Sequence, residues 1–316
     1  MSLLGHDDAW RQWRDAMRGE RMHHAWLLAG RKGLGKANFA RAASRALVGT
    51  GEGTGPHPDI LTLTHEPKDE KEERKRDEGK PFELARSIRI TQIRAMQQRL
   101  TTRPTVGDRR AVIIDPADDL ERSAANALLK SLEEPPVGTF FLLVAHRPEG
   151  LLPTIRSRCR MLRFPALQDA DLERALRDLA PQSSDETRRA AILAASGSPG
   201  AALAFVAMDL GRVAQLFERL LTNGDRDFGL RGELASAIGA RPDRERTQAV
   251  LDLARAALAA RLDDSLRDPR PVIEAHGELV RLTTESTTFN YDPGLLVMEI
   301  GTLLARAAPA SERANG

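Results

Sequence analysis

The chain has one cysteine, Cys159, so it carries neither an internal disulfide framework nor a zinc site built from several thiolates. Aromatic residues are scarce, at 4% of 316 residues. No apolar run approaches the roughly 18 residues a bilayer span needs, and residues 1–8 hold no apolar signal core. Net charge is nearly absent as well: 47 Lys and Arg stand against 45 Asp and Glu, a formal +2. That balance excludes a protein that grips nucleic acid over most of its surface, while leaving room for a local basic patch. Aliphatic material is not scarce. Hydrophobic residues make up 41%, enough for packed cores and far from a disordered composition. Ala, Leu and Arg dominate, which favours helix, and the length suits about two domains or three small ones. The expected setting is cytoplasmic, with no membrane partner.

Hydrophobic periodicity divides the chain in two styles. Residues 7–19 place Ala9, Trp10, Trp13, Ala16 and Met17 at helical spacing. Residues 25–29 form a short apolar run followed by a glycine-rich turn, the pattern of a buried parallel strand, and residues 37–48 read as helix. Further strands are expected at 60–64, 110–114, 140–145 and 161–164. Helices are expected at 92–100, with Thr91 as N-cap, and at 123–132, stopped by Glu133-Glu134-Pro135-Pro136. Residues 49–58 read as loop. Residues 66–80 are almost wholly charged and read as a solvated, mobile insertion. Strands alternating with helices imply an α/β domain with a parallel sheet over 1–165. Beyond Pro165 the strand signal vanishes. Helices are expected at 169–179, 184–196 and 201–209, a small helical domain over 166–209. A C-terminal helical domain over 210–316 follows, broken at Asn223-Gly224, Arg241-Pro242 and Asp268-Pro269-Arg270-Pro271.

The turn after the first strand reads Gly30-Arg31-Lys32-Gly33-Leu34-Gly35-Lys36-Ala37. Phosphate-binding loops have the form G-x-x-x-x-G-K-[ST] between a strand and a helix. Glycines let backbone N–H groups face phosphate oxygens at the positive end of the helix, and the lysine reaches the outer phosphates. Gly30, Gly33, Gly35 and Lys36 fit. Ala37 does not, because it has no hydroxyl for Mg²⁺. Two readings stand at this point: a working NTP site, or a retained loop that binds nucleotide weakly or not at all. Hydrolysis also needs an acid at the end of a neighbouring strand, commonly with a glutamate beside it. Asp115 supplies the first, but Pro116 stands in the second place, and Asp118 and Asp119 lie a turn further on. Both departures remove metal or water chemistry.

Leu128-Leu129-Lys130-Ser131-Leu132-Glu133-Glu134-Pro135-Pro136, the run 152–159 ending in Ser157-Arg158-Cys159, His24-Ala25, and Ile93-Arg94 together resemble bacterial clamp-loader subunits of the AAA+ class. The resemblance is continuous over about 20–165. It implies an AAA+ parallel-sheet domain, a small helical lid and a C-terminal helical collar. It also points to a non-motor member. Ala145-His146 stands where motors carry a polar sensor, and no arginine lies in Gly197-Ser198-Pro199-Gly200, where they carry a second one. The four-cysteine zinc module of the family is missing from 49–82. No zinc is expected, His57 and His65 with nearby acids being a remote substitute. What the resemblance implies for function is a scaffold whose Arg158 projects into a neighbour's ATP site, the alternative being that Arg158 merely pairs with a local carboxylate. Its own Gly30, Gly33, Gly35, Lys36 and Asp115 would hold ATP or ADP weakly, and no cofactor is required. The implied partners are the gamma/tau motor and delta subunits of the DNA polymerase III clamp loader. Through that complex they extend to the sliding clamp and to the backbone of primed duplex DNA. Arg94, Arg99, Arg103, Arg109 and Arg110 form the best local basic stretch, with a solvated helix face as the equal alternative. The rival functions are an active clamp-loader ATPase and an unrelated phosphate-loop kinase. Cys159 is expected to be a buried small hydrophobe, and His23 and His24 to be structural.

Overall fold

Strands rich in Val, Ile, Leu and Phe pair in parallel because helical crossovers return the chain to the same end of the sheet each time. The computed structural model describes residues 6–19, 21–50, 55–239, 242–262, 268–286 and 291–309. They fall into two compact units, 1–166 and 167–316.

In the first unit, β1 (Ala25–Ala29), β2 (Ile60–Leu63), β3 (Arg110–Ile114), β4 (Thr139–Ala145) and β5 (Arg160–Arg163) form one sheet in the order β2-β3-β4-β1-β5. All four pairings are parallel. β1 and β3 are buried along their whole length, as a sheet covered on both faces requires. Alternation sorts their side chains into two cores. Trp26, Leu28, Ala111 and Ile113 pack with α1 (Asp7–Arg18) and α2 (Lys36–Leu47) around Trp13 and Phe39. Ala25, Leu27, Val112 and Ile114 pack on the other face. There they meet Ile93 and Met96 of α4 (Ile90–Leu100) and Leu128 and Leu132 of α5 (Arg122–Glu133). Trp13 is fully buried, its ring 5.2 Å from Trp26 and 6.3 Å from Phe39 in edge-on contacts.

Two local expectations change. Helix α4 begins at Ile90, so Thr91 lies inside its first turn and not at the cap. Gln92 explains the earlier start: its side-chain oxygen accepts the Arg89 N–H at 2.9 Å, so the end is closed from within. The charged stretch 66–80 is not featureless. It holds α3 (Glu70–Asp77), capped by Asp69, whose carboxylate accepts the Glu72 N–H at 3.0 Å. Glu72 is buried and accepts from Lys75 at 2.7 Å and from the Glu83 N–H at 2.8 Å. Backbone bonds from Lys68 to Glu83 and from Ala85 to Glu66 close the base. Mixed-sign composition hid a helix that pairs its charges internally. Within the expected loop at 49–58, residues 51–54 lie outside the described residues, as does Arg241 of an expected break.

Among its described residues, the second unit's regular structure is helical. It comprises α7 (Asp169–Leu179), α8 (Asp185–Ala195), α9 (Pro199–Ala207), α10 (Gly211–Asn223), α11 (Gly229–Ile238), α12 (Arg244–Ala259), α13 (Arg270–Ser286) and α14 (Pro293–Arg306). The remaining helix of the first unit, α6 (Pro153–Arg156), precedes β5. One continuous core runs from Leu172 and Leu176 through Phe217 and Leu251 to Leu304. The expected boundary at 209/210 therefore falls inside a single core. Arg246 crosses it: its guanidinium donates to Met208 O at 2.6 Å, Ile238 O at 3.0 Å and Ala237 O at 3.1 Å. Among the described residues no single helix is long and apolar enough to cross a membrane.

Candidate functional site

The glycine loop leaves the C-terminal end of β1 and enters α2, between the ends of β4 and β5. Gly30 donates its N–H to Ala145 O at 3.3 Å, and a Cβ there would stand 2.4 Å from Phe164 O, so only glycine fits. Gly33 and Gly35 have φ of 82° and 79°, the left-handed turn that brings the chain round to the helix start. His6, buried at the head of α1, reaches Leu34 O through Nε2 and lies edge-on to Phe164 at 4.8 Å. Its Nδ1 has no partner among the described residues. Burial lowers the His6 pKa despite the Leu34 carbonyl, so the ring is neutral near neutral pH.

Lys36 is buried and turned back on its own loop. Its ammonium donates to Gly30 O at 2.5 Å and Arg31 O at 2.6 Å. Burial pushes its pKa down to about 8, against the pull of Asp115 and Asp118. The loop thus makes a left-handed glycine turn into α2, while the Ala37 side chain offers no oxygen to a metal.

Of the acidic groups beside the loop, Asp118 is committed elsewhere. Burial raises Asp115 above the ordinary carboxylate range, with His146, Arg41, Lys36 and His65 opposing. Asp118 accepts the backbone N–H groups of His146 at 2.9 Å and Arg147 at 3.0 Å, which fixes the turn after β4. Asp119 lies 3.2 Å from His65 Nε2, too poorly aligned for a hydrogen bond, and 3.8 Å from Arg147. Burial, then Lys36, lowers His146. No group of three or more metal-ligating side chains occurs among the described residues. His57 instead accepts the Asp59 N–H at 3.1 Å.

Arg158 stands at the other end of the sheet. In the parallel register Arg160 faces Trp26, four residues before Gly30. At about 3.3 Å per residue that is roughly 13 Å along the strand, and Arg158 lies further back still. Its guanidinium pairs with Glu133 at 2.6 Å and donates to Thr154 O at 2.9 Å. Its side chain remains 35% exposed. The structure therefore brings Gly30, Gly33, Gly35, Lys36 and Asp115 together and sets Arg158 apart from them. Cys159 packs beside the core, where burial pushes its thiol up to about 12, well away from nucleophilic use.

The basic stretch divides. Arg110 is withdrawn from any surface role: it is 4% exposed and paired with the fully buried Asp59 at 3.2 Å. Asp59 also accepts the N–H groups of Thr105 and Val106. Arg109 stacks over Phe140 at 5.9 Å. Arg94 and Arg103 are exposed. Sequence reasoning missed His6, and it named Asp118 and Glu133 without foreseeing their contacts. Only Glu133 carried a local signal, as the last helical residue before two prolines.

A family model described as DNA polymerase III, delta subunit matches residues 5–168. The DNA polymerase III subunit delta' of Pseudomonas aeruginosa is 35% identical over 151 residues, 43% of this chain and 41% of the relative. The delta' subunit of Escherichia coli is 33% identical over 200 residues, 58% of this chain and 54% of the relative. The chain thus matches about half the length of these relatives. Among solved structures, a gamma subunit-related protein of DNA polymerase III from Thermotoga maritima superposes with a TM-score of 0.53. It covers 94% of this chain and 99% of that one at 16% identity, a likeness of fold alone.

Proposed function

The chain belongs to the DNA polymerase III delta subunit family, and from that premise we propose that it is a non-hydrolysing scaffold subunit of a replicative clamp loader. It docks against gamma/tau motor subunits and delta, and it offers Arg158 to the ATP held by a neighbour. The assembly opens the sliding clamp and leaves it on primed duplex DNA, gripping the backbone without regard to sequence. The chain itself turns over no ATP and polymerises nothing, and it works in the cytoplasm at the nucleoid.

The observation that carries this reading is the separation of parts. The phosphate loop lacks a metal hydroxyl at Ala37, and its lysine is bonded to Gly30 and Arg31. The guanidinium that could stabilise a γ-phosphate lies at the far end of the sheet, partly exposed and paired with Glu133. An arginine placed there cannot serve its own loop. Supplied to a neighbour, it stabilises charge that builds only in the transition state, which can raise turnover by about three to five powers of ten. ATP or ADP at Gly30–Lys36 would be a structural ligand only. The rival, an active motor subunit, needs the Mg²⁺ hydroxyl and the paired glutamate that Ala37 and Pro116 replace. ATP turnover by the purified chain with Mg²⁺ separates the two. The scaffold predicts background rates; hydrolysis lost on Lys36→Ala would establish the motor instead.

A further inference from the structure

Arg158 is anchored at two points, and one of them makes no sense as a stability device. Glu133 is the last residue of α5, at the helix's negative end, where a carboxylate is disfavoured by the helix dipole. Its pair with Arg158 is half exposed, so it adds little to folding. Yet the contact is short, at 2.6 Å. The platform beneath it is also fixed. His24 Nε2 donates to Leu132 O at 2.9 Å, tying the residue before Glu133 to the start of β1. Leu132 itself is buried in the core. Opposite, Thr154 O accepts from the same guanidinium within the short helix α6. A flexible side chain is thereby held between two helix ends while staying partly exposed.

We propose that Glu133 is the positioning residue for Arg158: together with Thr154 O it holds the guanidinium in one orientation before a neighbour's nucleotide arrives. This rests on the reading of Arg158 as an arginine finger. An arginine that is already ordered loses less freedom when it meets the phosphate, so the gain appears in the rate of the chemical step. Because the pair is partly solvated, the guanidinium can lean towards phosphate without a large penalty.

The test uses the reconstituted heteromeric loader, with clamp and primed DNA, and measures ATPase kcat and KM for ATP. Glu133→Ala should lower kcat roughly five- to thirtyfold, the scale set by the rotamer freedom of one arginine, and leave KM unchanged. Glu133→Gln keeps an acceptor oxygen at the same reach and should recover most of the rate. In an Arg158→Ala background, Glu133→Ala should change nothing further. Sedimentation of each loader checks that assembly is intact. Three results would overturn the positioning role: unchanged kcat in Glu133→Ala, a Glu133→Gln as slow as alanine, or a Glu133→Ala effect that persists without Arg158. If Arg158→Ala itself leaves turnover unchanged, the finger reading has failed and takes this one with it.

Discussion

Replacing Lys36 with methionine should change how stability depends on pH, because the lysine is a charge held inside its own loop. Burial lowers its pKa from 10.5 to about 8. The folded chain therefore releases that proton before the unfolded chain does. Between those two values the unfolded state binds more protons, so stability rises with pH. At neutral pH the charged lysine costs folding free energy, and the cost fades towards pH 10.5. The full separation corresponds to about 3.4 kcal/mol, of which about 1.8 kcal/mol falls between roughly pH 7.5 and 9.5. Relaxation around a buried charge reduces this, and about 1 kcal/mol is the expected change over that interval. Urea unfolding of wild type and Lys36→Met at several pH values measures it. Cys159, whose thiol is raised to about 12, acts with the opposite sign above pH 9.0, but equally in both proteins, so it cancels in the difference. Wild type should gain on the variant as pH rises. Parallel curves would refute a depressed Lys36, and with it the claim that the ammonium is turned inward.

The buried clip at Asp59 gives an acid-side counterpart. Burial raises its pKa, but the Thr105 and Val106 N–H groups and Arg110 outweigh this and hold it below the usual carboxylate range, so its contribution is present above about pH 4 and lost as pH falls. Asp59→Ala leaves Arg110 buried without its partner and should cost about 3–5 kcal/mol by chemical denaturation, with a weaker acid dependence than wild type. Trp13 sits fully buried between Trp26 and Phe39, so Trp13→Ala should cost about 3–5 kcal/mol, seen as a lower urea midpoint with the slope unchanged.

The sheet was legible because its strands are short apolar runs bounded by turn residues, and a parallel sheet buried on both faces leaves that mark. The glycine loop was legible because each glycine meets a backbone demand; Gly30, pressed against Phe164 O, is the sharpest case. The order of strands was not legible, since β1 carries no sign that it will lie between β4 and β5. Helix α3 was missed because its hydrophobic periodicity is nil: it is held by Asp69, Glu72 and Lys75, whose spacing looks like any charged run. Arg110 resembled its neighbouring arginines and proved to be buried, because its partner Asp59 lies 51 residues away in the chain. Asp118 was similarly opaque. Its partners are backbone N–H groups after β4, which no residue type announces. Across 209/210 the alanine- and leucine-rich helices on both sides share one core, with Arg246 bonded across it.

The most direct measurement is the ATPase rate of a reconstituted loader carrying either Lys36→Ala or Arg158→Ala in this subunit. Turnover should survive the first change and fall by about three powers of ten with the second, while both complexes assemble. A loader that stalls on Lys36→Ala, or runs unimpeded on Arg158→Ala, would contradict a subunit whose chemistry is lent to its neighbour.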